Sequence, residues 1–87
     1  MPWFKEVMLE EKQVLFTNTR NSDGSYAIKL SIRADDFGGK SDIVCLDVER
    51  SDKPIPFTTL LALSNPDTTR QLINKYIKPY LSRLQCN

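Results

Sequence analysis

The fold is decided by the stretch YAIKLSIRA, residues 26–34. Apolar residues alternate along it with small or polar ones: Tyr26, Ile28, Leu30, Ile32 and Ala34 against Ala27, Lys29, Ser31 and Arg33. A period of two predicts a β-strand with one buried face. Residues 13–20 precede this stretch and are rich in strand-forming Val, Phe and Thr. Because Asp23-Gly24 lies between them and favours a two-residue turn, the whole segment predicts a β-hairpin.

The turn also determines which side chains share a face of the hairpin. With Asp23 and Gly24 as the two turn residues, the core side holds three cross-strand pairs: Thr19 with Ile28, Thr17 with Leu30, and Leu15 with Ile32. The opposite side then carries a mixed polar and aromatic set: Phe16, Asn18, Lys29, Ser31 and Arg33. A change of one residue in the turn would exchange the faces of one strand, so this assignment depends on the turn.

The other strand predictions rest on shorter patterns. Residues 43–49 alternate again and predict a third strand. Residues 57–63 fit a fourth strand or a short helix, and two threonines and a phenylalanine just after prolines favour the strand. Residues 2–12 fit a helix or an early strand. We favour the strand, since residues 7–20 then form one long, bent element.

The C-terminal part of the chain predicts an amphipathic helix. Asn65 is a favourable N-cap, Pro66 suits the first helical position, and Asp67 complements the positive end of the helix dipole. Apolar residues then recur at three- and four-residue spacing: Leu72, Ile73, Tyr76, Ile77, Tyr80, Leu81 and Leu84. Pro79 removes one backbone hydrogen bond and predicts a kink on the outer face of the helix.

Together these elements predict an α+β fold in one domain, residues 1–87. An antiparallel sheet of three to four strands is followed by one C-terminal amphipathic helix (ββββα), which packs on one sheet face. A chain of 87 residues buries only about 60% of its unfolded surface, so its core is thin. The uncovered sheet face therefore favours a homodimer.

Composition excludes several classes of protein. The net charge is +1, and 40% of the residues are hydrophobic, which is too apolar for an intrinsically disordered chain. No apolar run is long enough to span a membrane, and no signal peptide is recognisable, so a cytoplasmic location is expected. Without a signal peptide, Cys45 and Cys86 are expected to be free thiols, although a disulfide between them stays open.

The sequence offers little for catalysis. It contains no histidine, the commonest general base and zinc ligand, so we expect no enzyme activity, no metal and no cofactor. The segment from Ala34 to Ser41 approaches a phosphate-binding loop, but an alanine occupies the position of a required glycine. The strand pattern from Ile43 also replaces the helix that should follow.

The mixed side of the hairpin instead predicts binding of single-stranded DNA or RNA. Phe16 would stack on a base, Lys29 and Arg33 would contact phosphates, and Asn18 would bind a base edge or a sugar, with Ser31 between them. A second basic patch lies on the outer face of the helix and could bind an anionic ligand: Arg70, Lys75, Lys78 and Arg83.

At this hairpin the sequence resembles the PUR-type repeats, a family of single-stranded DNA- and RNA-binding modules. The resemblance lies in the spacing of Phe16, Asn21, Gly24 and Tyr26, together with the order of the elements. It implies a ββββα repeat that pairs with a second one through swapped or crossed helices. It also implies binding through the curved sheet and no catalysis.

A protein-interaction module, such as a small inhibitor, adaptor or assembly factor, is the alternative hypothesis. The nearly balanced charge suits a protein partner better than it suits nucleic acid. In this hypothesis the Trp3-Phe4 pair, an exposed strand edge or the helix face would contact the partner.

Overall fold

The structure, a computed structural model, describes residues 3–85. Four antiparallel strands form one sheet, in which each strand lies beside the next one along the chain. The strands are β1 (Trp3–Leu9), β2 (Lys12–Arg20), β3 (Tyr26–Arg33) and β4 (Ile43–Ser51). The predicted α+β class and antiparallel sheet are confirmed, but the four strands are not the four that were predicted.

A two-residue turn separates β1 from β2, so the prediction of one long, bent strand over residues 7–20 is wrong. Leu9 pairs with Lys12, and the intervening Glu10 and Glu11 have φ values of 52° and 69°. Two successive residues with positive φ are the mark of a type I′ hairpin turn. Glutamate rarely adopts this left-handed conformation, and no Gly or Asn at this point signals the turn.

The turn between β2 and β3 is one residue longer than predicted. The Gly24 N–H donates to the Asn21 carbonyl at 3.0 Å, and the Asn21 N–H donates to the Ser25 carbonyl at 2.8 Å. Gly24 has a φ of 88°, whereas Asp23 is not among the residues with positive φ. The loop is therefore the three residues Ser22, Asp23 and Gly24, a type I turn followed by a left-handed residue.

The longer loop shifts the register by one position, so the predicted facing of β2 is wrong. Phe16 lies opposite Leu30, and Asn18 lies opposite Ile28. Side chains of every strand enter one hydrophobic cluster: Val7, Leu9, Val14, Phe16, Ile28, Leu30, Ile32, Val44 and Val48. β3 and β4 pair with a register shift between Ile28 and Lys29, where β4 has one extra residue.

The glycine-containing segment before β4 forms a short 3₁₀ helix, Ala34–Phe37, and then a turn at Gly38 with a φ of 89°. As predicted, a strand follows this segment rather than the helix of a phosphate-binding loop. A Cβ on Gly39 would lie 3.1 Å from Leu81 Cδ2 and from Ala34 Cβ, so a larger residue there would require these neighbours to move by a few tenths of an ångström.

Residues 57–63 form helix α1 (Phe57–Leu63), so the prediction of a strand there is wrong. Pro56 is the N-cap residue of α1, where the N–H that proline lacks would have no partner within the helix in any case. Leu60 is fully buried and Leu63 is partly buried, which gives α1 a helical rather than an alternating pattern of burial.

The predicted C-terminal helix is confirmed, and it contains a π-helical segment. It comprises α2 (Pro66–Leu72), the π-helical segment Ile73–Ile77 and α3 (Lys78–Gln85), through which the backbone stays helical. Asn65 caps it by accepting a hydrogen bond from the Asp67 N–H at 3.0 Å. The π segment ends two residues before Pro79, which lacks the N–H that would otherwise donate to the Lys75 carbonyl.

The buried helical side chains belong to the same cluster as the strand side chains: Leu60, Ile73, Ile77 and Leu81. Side-chain hydrogen bonds join parts of the helical region to one another. Thr69 is fully buried and donates its hydroxyl to the Leu63 carbonyl at 3.0 Å, which joins α2 to the end of α1. None of the helices described between residues 3 and 85 is long and apolar enough to cross a membrane.

Candidate protein interface

The predicted nucleic-acid site depended on an exposed Phe16, and the structure places Phe16 in the core with 0% of its surface exposed. The three-residue loop causes this, because a shift of one residue turns every side chain of β2 to the other face. Phe16 therefore offers no ring on which a base could stack, and the stacking site proposed from the sequence is not formed.

Asn18 lies on the same side of β2 as Phe16, and its predicted outward position is also wrong. Its Nδ2 donates a hydrogen bond to the Ile55 carbonyl at 3.0 Å. This bond ties the segment between β4 and α1 to the sheet. Asn18 is consequently a structural residue, with its amide donor already used inside the protein.

The remaining three predicted residues, Lys29, Ser31 and Arg33, lie on the opposite side of the sheet, as predicted. Lys29 Nζ lies 3.7 Å from a carboxylate oxygen of Asp47, and an Arg33 guanidinium nitrogen lies 3.3 Å from one of Asp35. The structure thus divides the predicted set of five between two sheet faces. Its two cations are each already paired with a carboxylate.

We call the side of the sheet that faces away from the core cluster the open face. Cross-strand pairing and alternation assign to it these residues of the four strands: Phe4, Glu6, Met8, Gln13, Leu15, Thr17, Thr19, Ala27, Lys29, Ser31, Arg33, Ile43, Cys45, Asp47 and Arg50. Successive rows cross all four strands, and the central row runs from Glu6 through Leu15 and Ser31 to Cys45.

Large apolar side chains are exposed on the open face. Phe4 is 70% exposed and Met8 is 55% exposed on β1, and Ile43 is 63% exposed on β4. Phe4 pairs with Thr17 and Met8 pairs with Gln13, so the two flank the row that contains the half-buried Leu15. The alternation of Phe4 and Met8 with Val7 and Leu9 is the signal from which this surface could have been predicted. That signal is masked because Glu10 and Glu11 form the turn after Leu9 without a residue type that favours positive φ.

Most of the charged groups on and beside the open face form ion pairs. Asp47 contacts both Lys29 and Arg50, the latter at 3.6 Å, and Arg50 also lies 3.7 Å from Asp23. The Glu6 carboxylate accepts a hydrogen bond from Gln13 at 2.7 Å. Each of these exposed pairs adds little stability. The ion pairs compensate the other charges of the open face, whereas Glu6 has only the neutral Gln13 as its hydrogen-bond partner among the described residues.

The carboxylate of Asp23 in the β2–β3 loop is stabilised in its ionised form by its neighbours. Its carboxylate accepts hydrogen bonds from the Ser25 hydroxyl at 2.6 Å and from the Ser25 N–H at 2.9 Å. These hydrogen bonds, with a contribution from Arg50, lower the pKa of Asp23 below its ordinary value of 3.8. Asp23 is fully exposed and organises the loop.

The predicted basic patch is exposed on the C-terminal helix, but its members do not act as one group. Arg70 pairs with Asp67 at 3.4 Å, and Lys75 Nζ lies 5.3 Å from the centre of the Tyr76 ring. Arg70 and Lys78 line a pocket, whereas Lys75 and Arg83 are absent from its lining.

The described residues include no group of three or more His, Cys, Asp or Glu side chains arranged to hold a metal ion. Cys45 is a free, exposed thiol on β4, and Cys86 lies outside the described residues. Comparison of the chain with protein families, with curated proteins and with solved structures gave no match. The resemblance to PUR-type repeats therefore stays a prediction.

Proposed function

We propose that the protein is a non-enzymatic protein-interaction module that acts as a homodimer, with the open face of one copy packed against the open face of a second. The observation that carries this proposal is the exposure of Phe4 and Met8 beside Leu15, on a face whose cations Lys29 and Arg33 are already paired with carboxylates. Apolar side chains that flank a partly buried one are typical of the centre of an interface.

A second copy suits this face because an isologous interface needs a surface complementary to itself. Large positive or negative potentials would oppose such packing, and the ion pairs of Asp47 with Lys29 and Arg50 remove them. Two sheets that pack face to face lie about 10 Å apart with their strands rotated by about 30°. In that arrangement Phe4, Met8 and Leu15 of both copies would leave water together.

The size of the face predicts a reversible dimer. Four strands about 4.8 Å apart, over the seven paired residues of β1 and β2, give a flat area of roughly 440 Å² on each copy. Both copies together contribute roughly 900 Å² of flat area, and the projecting side chains make the true buried surface larger. Such an area is at the lower end for specific interfaces, so we expect micromolar dissociation.

The same contacts favour protein over nucleic acid as the ligand of this face. A phosphate group would have to compete with Asp47 for Lys29 and with Asp35 for Arg33. The aromatic side chain available on the open face is Phe4 at the edge strand, because Phe16 is buried. Single-stranded nucleic acid requires both free cations and stacking platforms along one path.

Sedimentation equilibrium over a wide range of protein concentration tests the proposal. We expect a monomer–dimer equilibrium for the natural chain and a monomer for Phe4→Asp, because burying a charge without a partner at the interface is strongly unfavourable. Leu61→Asp is the matched control: Leu61 is also an exposed apolar residue, 44% exposed, but it lies on α1 and should leave the dimer intact.

Three results would overturn the proposal. The natural chain could stay monomeric at every concentration, or Leu61→Asp could dissociate the dimer while Phe4→Asp does not. The third is salt-sensitive binding of single-stranded DNA or RNA that is lost in Lys29→Ala. That result would restore the nucleic-acid hypothesis for this face.

A further inference from the structure

A pocket of about 390 Å³ lies on the side of the sheet that faces the helices. Strands, turns and helices all contribute to its lining, which includes Glu10 of the β1–β2 turn, Asp36 of the 3₁₀ helix and Asn74 of the π-helical segment. Its volume is within the range of about 300–1,000 Å³ that is typical of small-molecule sites. Because it does not involve the open face, its function is separate from the proposed dimerisation.

Three cationic side chains line this pocket: Lys12 from β2, Arg70 from α2 and Lys78 from α3. Among residues 3–85, no carboxylate lies within ion-pair distance of Lys12 or Lys78. Lys12 Nζ lies instead 5.2 Å from the centre of the Phe37 ring, another residue of the lining. Arg70 is paired with Asp67 at 3.4 Å, so an anion would have to displace that exposed carboxylate, whereas Lys12 and Lys78 have no such partner among these residues.

The pocket also contains groups that bind hydroxyls. Glu10 and Asp36 add two carboxylates to its lining and Asn74 adds an amide. Since neither carboxylate pairs with the lining cations, both can accept hydrogen bonds from a ligand. A bare anion would be repelled by these carboxylates, whereas a ligand with hydroxyl groups would satisfy them.

We infer that this pocket binds a small phosphate ester that carries hydroxyl groups, of which a sugar phosphate is the simplest example. Lys12, Arg70 and Lys78 would bind the phosphate, because charge-assisted hydrogen bonds to Lys and Arg are strong. Glu10 and Asp36 would accept hydrogen bonds from the hydroxyls, as acidic residues do for ribose in dinucleotide-binding sites.

Two irregular parts of the backbone meet at this pocket. Glu10 is held in the left-handed conformation with a φ of 52°, and Asn74 lies in the π-helical segment Ile73–Ile77. Strained residues and π-helical turns both occur preferentially at functional sites. Here the two irregularities place one carboxylate and one amide in the same lining.

An NMR titration of backbone amides with ribose phosphate, inorganic phosphate and unphosphorylated ribose tests this inference. We expect saturable shifts centred on the pocket, with ribose phosphate binding most tightly of the three. Lys78→Ala should weaken that binding roughly tenfold, since one charge-assisted contact is lost. Lys75→Ala is the matched control, because Lys75 is a neighbouring cation on the same helix that does not line the pocket. Its affinity should be unchanged.

The inference would be overturned by an absence of saturable shifts up to millimolar ribose phosphate. It would also be overturned if Lys75→Ala weakened binding as much as Lys78→Ala, which would mean diffuse attraction to the helix. Equal affinity for inorganic phosphate and ribose phosphate would exclude the role given to Glu10 and Asp36. Phe4→Asp should bind as the natural chain does, so failure of the dimer leaves this test valid.

Discussion

The register of the hairpin can be tested by comparing two neighbouring residues, Leu15 and Phe16. In the structure Phe16 is fully buried, and Leu15 is half-buried on the open face. Replacing a buried phenylalanine by alanine costs about 3–5 kcal/mol, through lost transfer energy and the cavity left behind. We therefore expect Phe16→Ala to lower the free energy of unfolding by about 4 kcal/mol, and Leu15→Ala to lower it by about 1 kcal/mol.

Urea unfolding of the Phe4→Asp background, which is expected to be monomeric, is the appropriate assay. A domain of this size has a total stability of about 4–13 kcal/mol, so Phe16→Ala is close to the limit of folding. Phe16→Leu retains most of the volume and should cost about 1–2 kcal/mol, which keeps the comparison measurable. If Leu15→Ala proves costlier than Phe16→Ala, the two-residue turn is correct and the buried position of Phe16 is refuted.

Three other changes give measurable outcomes. Glu10→Asn combined with Glu11→Gly should stabilise the chain by about 1–2 kcal/mol in urea unfolding, because both residues have positive φ; the control Glu49→Gly in β4 should destabilise it. Asn18→Ala should cost about 1–3 kcal/mol, since it leaves a backbone carbonyl without its donor; a cost near zero would refute that bond. The pKa of Asp23 is lower in the folded protein than its ordinary value of 3.8, so the ionised carboxylate stabilises the fold at pH values above 3.8. This contribution is lost as the pH falls toward the pKa of the folded state. The free energy of unfolding should therefore depend less on pH in acid for Asp23→Asn than for the natural chain. Identical slopes of the two curves would contradict this prediction.

The strand β3 and the C-terminal helix were predictable because each has a long, consistent pattern. Alternation over residues 26–34 specifies β3, and the N-cap Asn65 with its apolar spacing specifies the helix. These signals depend on residues close together in the chain. For the same reason they identify the elements without fixing how neighbouring strands pair.

The candidate site could not be predicted because it depends on two turns. The Asp23-Gly24 pair is compatible with a two-residue or a three-residue loop, and only the second gives Phe16 its place in the core. The turn at Glu10-Glu11 uses residues that rarely have positive φ, so the pairing that places Phe4 and Met8 on the open face carried no local signal. For residues 57–63, burial of Leu60 against the core outweighed the strand preference of threonine.

The most direct test of the proposed interface is an isotope-filtered NOE spectrum of a mixed sample of labelled and unlabelled copies. It detects contacts between copies without changing any residue. We predict NOEs between copies that join the Met8 methyl group to open-face side chains such as Phe4 and Leu15. NOEs between copies confined to helix residues such as Leu61, or their absence at concentrations where the dimer is populated, would contradict the account.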